Sequence, residues 1–123
     1  MDGDDFSYIR HVDFDKISAG ERYSQKLIDY TSGARNATVA YIQTPPAGGS
    51  PSGMHTHPFE QIFYVLEGTM AIEVEGKRFT AEPGSLVVFP AGVQHRNWNE
   101  TDHPTVHLAI SSPSPGPKAP KPE

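Results

Sequence analysis

The chain has 123 residues, the size of one ordinary domain, and its 36% hydrophobic content provides for a single modest core. Twelve prolines and eleven glycines favour many turns between short elements, and the absence of cysteine excludes disulfides, thiolate metal sites and a cysteine nucleophile. A formal net charge of −5 without any run of Lys or Arg disfavours nucleic acid, and no signal-like start or bilayer-length apolar run is present, so a cytoplasmic protein off the membrane is expected.

Residues 1–37 open with the acidic "MDGDDF" and are expected to form strands or an arm that packs on the body of the domain, with Phe6, Tyr8 and Ile9 as anchors. "ERYSQKLIDY" fits either a strand or a short helix. From residue 38 the pattern sharpens. "TVAYIQT" reads as a strand stopped by Pro45 and Pro46, and "AGGSPSGM" as a loop. "QIFYVLEG" and "MAIEVEG" are β-rich runs separated by Gly68 and Thr69. In the second, Met70, Ile72 and Val74 alternate with Ala71, Glu73 and Glu75 at period two. "KRFTAE" follows a turn at Gly76, and "SLVVFP" and "TVHLAI" complete the set. Short strands at close spacing predict an all-β sandwich or jelly roll over residues 38–110. Residues 111–123, with five prolines and no large apolar side chain, predict a disordered or polyproline tail.

Chemistry concentrates in the histidines. Side chains at i and i+2 of an extended segment share a face, so His55 and His57 project together, and Pro58 favours an extended His57. Two imidazoles on one face can share a divalent ion. "GSLVVFPAGVQHRNWN" then delivers His95 after a strand that ends at Pro90 and Gly92, a third imidazole from a separate strand end.

These two stretches resemble the paired motifs of a small single-domain cupin. Gly49, His55, His57, position 61 and Gly68 follow the spacing of the first motif, and Gly84, Pro90, Gly92, His95 and Asn99 follow that of the second. The resemblance covers residues 38–110 and implies a double-stranded β-helix, or jelly-roll barrel. It also implies one divalent metal ion per subunit (Mn, Zn, Ni or Fe) held by His55, His57, Gln61 and His95. Most cupins carry glutamate where this chain has Gln61. The neighbouring Glu60 is one place early, and period two turns it away. A neutral amide gives the site one less negative charge and a more electrophilic ion.

Three histidines with one glutamine are similar to the uronate-linearising cupins of the pectin pathway, to some polyketide cyclases and to the cupin hydroxynitrile lyases. These resemblances imply lyase or isomerase chemistry on a small oxygenated molecule. An Fe(II)-dependent dioxygenase and a non-catalytic sugar-binding cupin are the alternatives. His107 alternates with Val106, Leu108 and Ile110. It is a candidate acid or base if its face lines the barrel, and a solvated residue if the apolar trio does. The "HLAI" segment is similar to that of the cupin hydroxynitrile lyases, where the histidine lies in the pocket. Tyr41 and Phe63 are candidate pocket residues. Trp98 is expected at the barrel mouth or an interface, and His11 and His103 at the surface. No GxGxxG, Walker-type loop, GxSxG or catalytic carboxylate pair occurs. Apolar strands such as "TVHLAI" would be covered by a second copy, so a homodimer is expected.

Overall fold

In the computed structural model, residues 8–48 and 54–113 are described, and they form eight strands. These are β1 (Tyr23–Ile28), β2 (Thr38–Thr44), β3 (Glu60–Glu67), β4 (Met70–Val74), β5 (Lys77–Ala81), β6 (Leu86–Phe89), β7 (His95–Trp98) and β8 (Thr105–Ser112). A five-stranded sheet runs β1-β2-β8-β3-β6 and a three-stranded sheet β5-β4-β7, every pairing antiparallel. The two sheets face each other as an all-β jelly roll. β8, last in the chain, inserts between β2 and β3. The ambiguous "ERYSQKLIDY" segment contributes β1 at the sheet edge and, at Tyr30–Ser32, the start of a short 3-10 turn.

The core lies between the sheets. Phe63, Val65, Met70, Ile72, Ala81, Phe89 and Ala109 form one buried apolar cluster. Period two explains its membership: on β3, Phe63 and Val65 point inward, while Glu60 and Tyr64 are exposed. The β3-to-β4 turn passes close to another segment. Gly68 has φ 77°, and a Cβ there would stand 2.4 Å from the Pro104 carbonyl oxygen, so both the backbone angle and the space demand glycine.

β8 runs two residues beyond the expected barrel boundary. Ser111 is buried and pairs with Thr38 and Gln61, because a serine can complete a ladder whose inner face is already polar. Gly49 and the tail from residue 114 lie outside the described residues. No helix among the described residues is long and apolar enough to cross a membrane.

Candidate metal centre

The three motif histidines meet at one end of the three-stranded sheet. His95 begins β7 and pairs with Val74 of β4 on one side; on the other it forms an isolated antiparallel bridge with His55. Both bridge hydrogen bonds are made: the His55 amide donates to His95 O at 3.0 Å and the His95 amide to His55 O at 2.9 Å. Directly opposed residues share a face, and the two rings lie 4.4 Å apart. His57 is fixed by a different device. Its carbonyl accepts from the Gly92 amide at 2.8 Å, and Gly92, at φ 81°, is the left-handed residue of a turn closed by Val93 N–H to Pro90 O. The HxH segment is thus extended, as its spacing predicts, but it is braced by these contacts rather than by a continuous strand.

One ring nitrogen from each of His55, His57 and His95 falls within 4.8 Å of the others, a spacing that three ligands of one ion can adopt. His95 Nδ1 lies 3.0 Å from Val93 O; with the proton there, the bond leaves the Nε2 lone pair free, and Nε2 is buried without a partner. His55 Nδ1 and His57 Nδ1 are likewise buried without partners. Flat aromatic contacts hold two of the rings: Phe89 stacks on His95 at 4.1 Å and Phe59 on His57 at 4.7 Å. Burial lowers the pKa of all three imidazoles. For His55 the neighbouring His95 adds to the effect, for His57 both His55 and His95 do, and for His95 the Val93 hydrogen bond works against it. Neutral imidazole is the ligating form. The donor set therefore fits a divalent ion, with His55, His57 and His95 as its holders.

Beside the triad is a cavity of about 150 Å³, and Gln61 and Phe63 line it. Glu60 is exposed on the opposite face of β3, so of the two residues it is Gln61 that faces the cavity. His107 also lines the cavity. It is 1% exposed, its ring is 4.3 Å from Phe63, and neither ring nitrogen has a hydrogen-bond partner. Burial, helped by the Arg22 charge, lowers its pKa to about 4, so it is neutral at pH 7. The inward face of β8 is thus the one carrying His107 and Ala109. β3 has a bulge between Val65 and Glu67, opposite His107 and Val106, a common device for re-aiming side chains beside a site.

Tyr41 does not line the cavity. It pairs with Leu108 on the outer face and packs edge-on against Phe14 and Tyr23, at 6.1 and 6.5 Å. Its neighbours Ile42 and Thr44 face inward instead. The reason is register: β8 sits between β2 and β3, and Phe63 shares its row with Ala109 and Ala40, which puts Tyr41 in the opposite parity. Trp98 lies away from the cavity, beneath the Arg96 and Arg78 guanidinium groups at 4.5 and 5.4 Å. His11 and His103 are exposed.

Three polar lining residues had no signal in the motifs: Arg22, Thr44 and Asn97. Asn97 follows His95 by two on β7, a spacing from which its inward face was readable. Thr44 ends β2 and Arg22 immediately precedes β1, two strands whose register the sequence does not reveal. Asn99, the last residue of the second motif, has a bracing role. Its side chain donates to Thr44 O at 3.2 Å and His103 O at 2.6 Å and accepts from Thr101, while its amide donates to Gly48 O at 2.8 Å.

A two-sheet jelly roll with three grouped histidines beside a small cavity defines a β-barrel protein with a candidate metal site. Residues 41–111 match the cupin domain family, and the chain belongs to it. Solved structures share the fold. An RmlC-like cupin family protein from Methanocaldococcus jannaschii is 18% identical with a TM-score of 0.69, over 81% of this chain and 87% of that one. A Cupin 2 conserved barrel domain protein from Salinispora arenicola is 22% identical with a TM-score of 0.70, over 85% and 87%. The polyketide cyclase RemF from Streptomyces resistomycificus is 28% identical with a TM-score of 0.67, over 76% and 66%. No curated protein sequence matches the chain.

Proposed function

We propose that this chain is a divalent-metal-binding cupin acting as a lyase or isomerase on a small oxygenated organic molecule. His55, His57, Gln61 and His95 would hold the ion, and His107 would move the proton. The observation that supports this reading is the cavity lining: His107, buried and without a hydrogen-bond partner, lines the same cavity as His55 and His57, two of the three histidines grouped at a metal-like spacing. When bound, the ion supplies Lewis-acid polarisation of a substrate carbonyl or hydroxyl.

The chain's own residues do the rest. His107 faces the cavity with both nitrogens free, so one can take a proton from a substrate carbon or oxygen and return it at another position. Phe63 covers one side of that ring and limits water there. No carboxylate lines the cavity among the described residues, which leaves His107 as the proton-transfer group. The likeness to a polyketide cyclase supports an enzyme working on oxygenated carbon.

The test is elemental analysis of protein purified without added metal or chelator, followed by turnover assays under strict anaerobiosis. One divalent ion per chain and oxygen-independent turnover that falls at least a hundredfold, on the order of the general acid–base contribution, in His107→Gln are expected. Metal-free protein with intact turnover would refute the reading, and a strict oxygen requirement would replace it with an oxygenase.

A further inference from the structure

The charges around the cavity identify the kind of molecule it accepts. Its ionisable lining residues are Arg22, His55, His57 and His107, with no Asp or Glu among them. The chain carries fifteen acidic residues and a net charge of −5, so a cavity lined by an arginine and three histidines with no acid runs against its overall composition. Gln61 extends the same pattern. A glutamate there would cancel part of a bound ion's charge, whereas the amide leaves it whole. Three neutral imidazoles and one amide leave a divalent ion with its full two positive charges, and Arg22 adds a third.

Arg22 has neither a carboxylate nor a hydrogen-bond partner among the described residues. It immediately precedes β1, whose first residue Tyr23 pairs with Gln43, so the next position on β2 is Thr44. Thr44 is 1% exposed, lines the same cavity, and its Oγ1 is buried without a partner. One strand further in, His107 is paired with Ile42. The wall therefore presents a guanidinium, a hydroxyl and an imidazole without protein partners. Behind the wall, ring contacts run from His107 through Phe63 and Phe89 to His95, at separations of 4.3, 5.0 and 4.1 Å. Buried polar groups of this kind cost stability unless something hydrogen-bonds to them.

We propose that Arg22 and Thr44 form a carboxylate-binding subsite and that the substrate of this cavity is a small organic acid. Its carboxylate is held at Arg22 and Thr44, and its reacting carbonyl or hydroxyl faces the three-histidine site with His107 alongside. A guanidinium fork matches a carboxylate in geometry as well as charge. About 150 Å³ admits a body of roughly benzene size, so the enclosed part of the substrate is a short acid. Burial is the main cause of the lowered His107 pKa, and a carboxylate seated on Arg22 offsets only the smaller contribution from that charge.

This inference rests on the metal-dependent reading of the same cavity, and the experiment separates the two. The probes are 4-oxopentanoate and its neutral amide, titrated calorimetrically into zinc-loaded protein whose zinc content is measured. The acid is expected to bind about tenfold tighter than the amide or better, the typical worth of one charge-assisted hydrogen bond. Arg22→Gln should erase that preference with zinc content unchanged, and Arg22→Lys should keep part of it. Equal binding of acid and amide, no binding of either, or a preference that survives in Arg22→Gln overturns the subsite. Protein that holds no zinc yet shows an Arg22-dependent preference refutes the metal centre and supports the subsite.

Discussion

Replacing His107 with leucine removes a buried titratable group at nearly constant volume, and the consequence for stability can be worked from its burial. His107 is 1% exposed and its pKa is lowered to about 4, against about 6.5 in the unfolded chain. Between those values the unfolded state binds more protons than the folded one, so stability rises with pH through that window. The contribution is fully present above about 6.5 and lost progressively toward about 4. At pH 5 the loss from this one residue is about 2 kcal/mol, and at pH 7 it is close to zero. His55, His57 and His95 also have lowered pKa values, so metal-free wild type should weaken on acidification through several groups. Comparison with His107→Leu cancels their share. Urea unfolding, followed by the single Trp98 in chelator at pH 7 and pH 5, gives the two differences. The variant should lose about 2 kcal/mol less than wild type between the two pH values. Equal losses would show that His107 is solvated or charged in the fold, and the proton-transfer role would fall with it.

Protons compete with a metal at three imidazoles whose pKa values are lowered, so metal affinity measured by competition with a chromophoric chelator should hold at pH 7 and fall only as pH drops below about 6.5. His57→Ala should abolish tight binding while circular dichroism shows the β fold intact; unchanged affinity would move the site elsewhere. Gln61→Glu adds an anionic ligand, so metal should bind at least tenfold tighter, on the order of a single strong ligand contact, while turnover falls through reduced Lewis acidity. Weaker binding in that variant would remove Gln61 from the ligand set. The outer face of the five-stranded sheet leaves Tyr64, Leu66, Leu86 and Val88 exposed, with Tyr64 paired to Leu86 across β3 and β6. A second copy covering this apolar row by two-fold symmetry predicts a dimer by light scattering at micromolar concentration, and a strict monomer counts against it.

The legible parts of this molecule are those set by local physics. β2 coincides with "TVAYIQT" because two prolines stop it, and β3 through β6 follow period-two runs separated by glycine turns. The histidines were legible because two short motifs fix their spacing from strand ends. β7 was not: "HRNW" is four polar and aromatic residues with no alternation, and its strand character comes from β4 and His55 on either side. The facing of Tyr41 and of His107 was also hidden, and for one reason. Both depend on β8 threading between β2 and β3, a pairing between segments more than forty residues apart. Inward positions on β2 are Ile42 and Thr44 rather than Tyr41, because the register with β8 puts Tyr41 in the opposite parity. Arg22 was invisible for the same reason, since its neighbour Thr44 is twenty-two positions away.

What orients the three histidines bears on how the site survives without its ion. His55 is held by a backbone bridge to His95, His57 by the Gly92 amide and the Phe59 ring, and His95 by Val93 O and the Phe89 ring. None of these contacts involves a metal. The apolar cluster around Phe63, Val65 and Ile72 lies between the sheets and carries the fold independently. This is the reverse of a small structural metal site, where the ion supplies the folding free energy and its removal unfolds the chain. Here the cradle is built first, with one ring nitrogen of each histidine within 4.8 Å of the others, so little ordering is left for binding to drive. Chelation should therefore leave the β fold intact and lower the unfolding free energy only by mass action, about 4 kcal/mol where free metal had stood a thousandfold above its dissociation constant, read as a lower thermal midpoint. A chain that loses its β circular dichroism on chelation at pH 7 would show that the cradle depends on the ion, and the pre-organisation argued from these backbone contacts would be wrong.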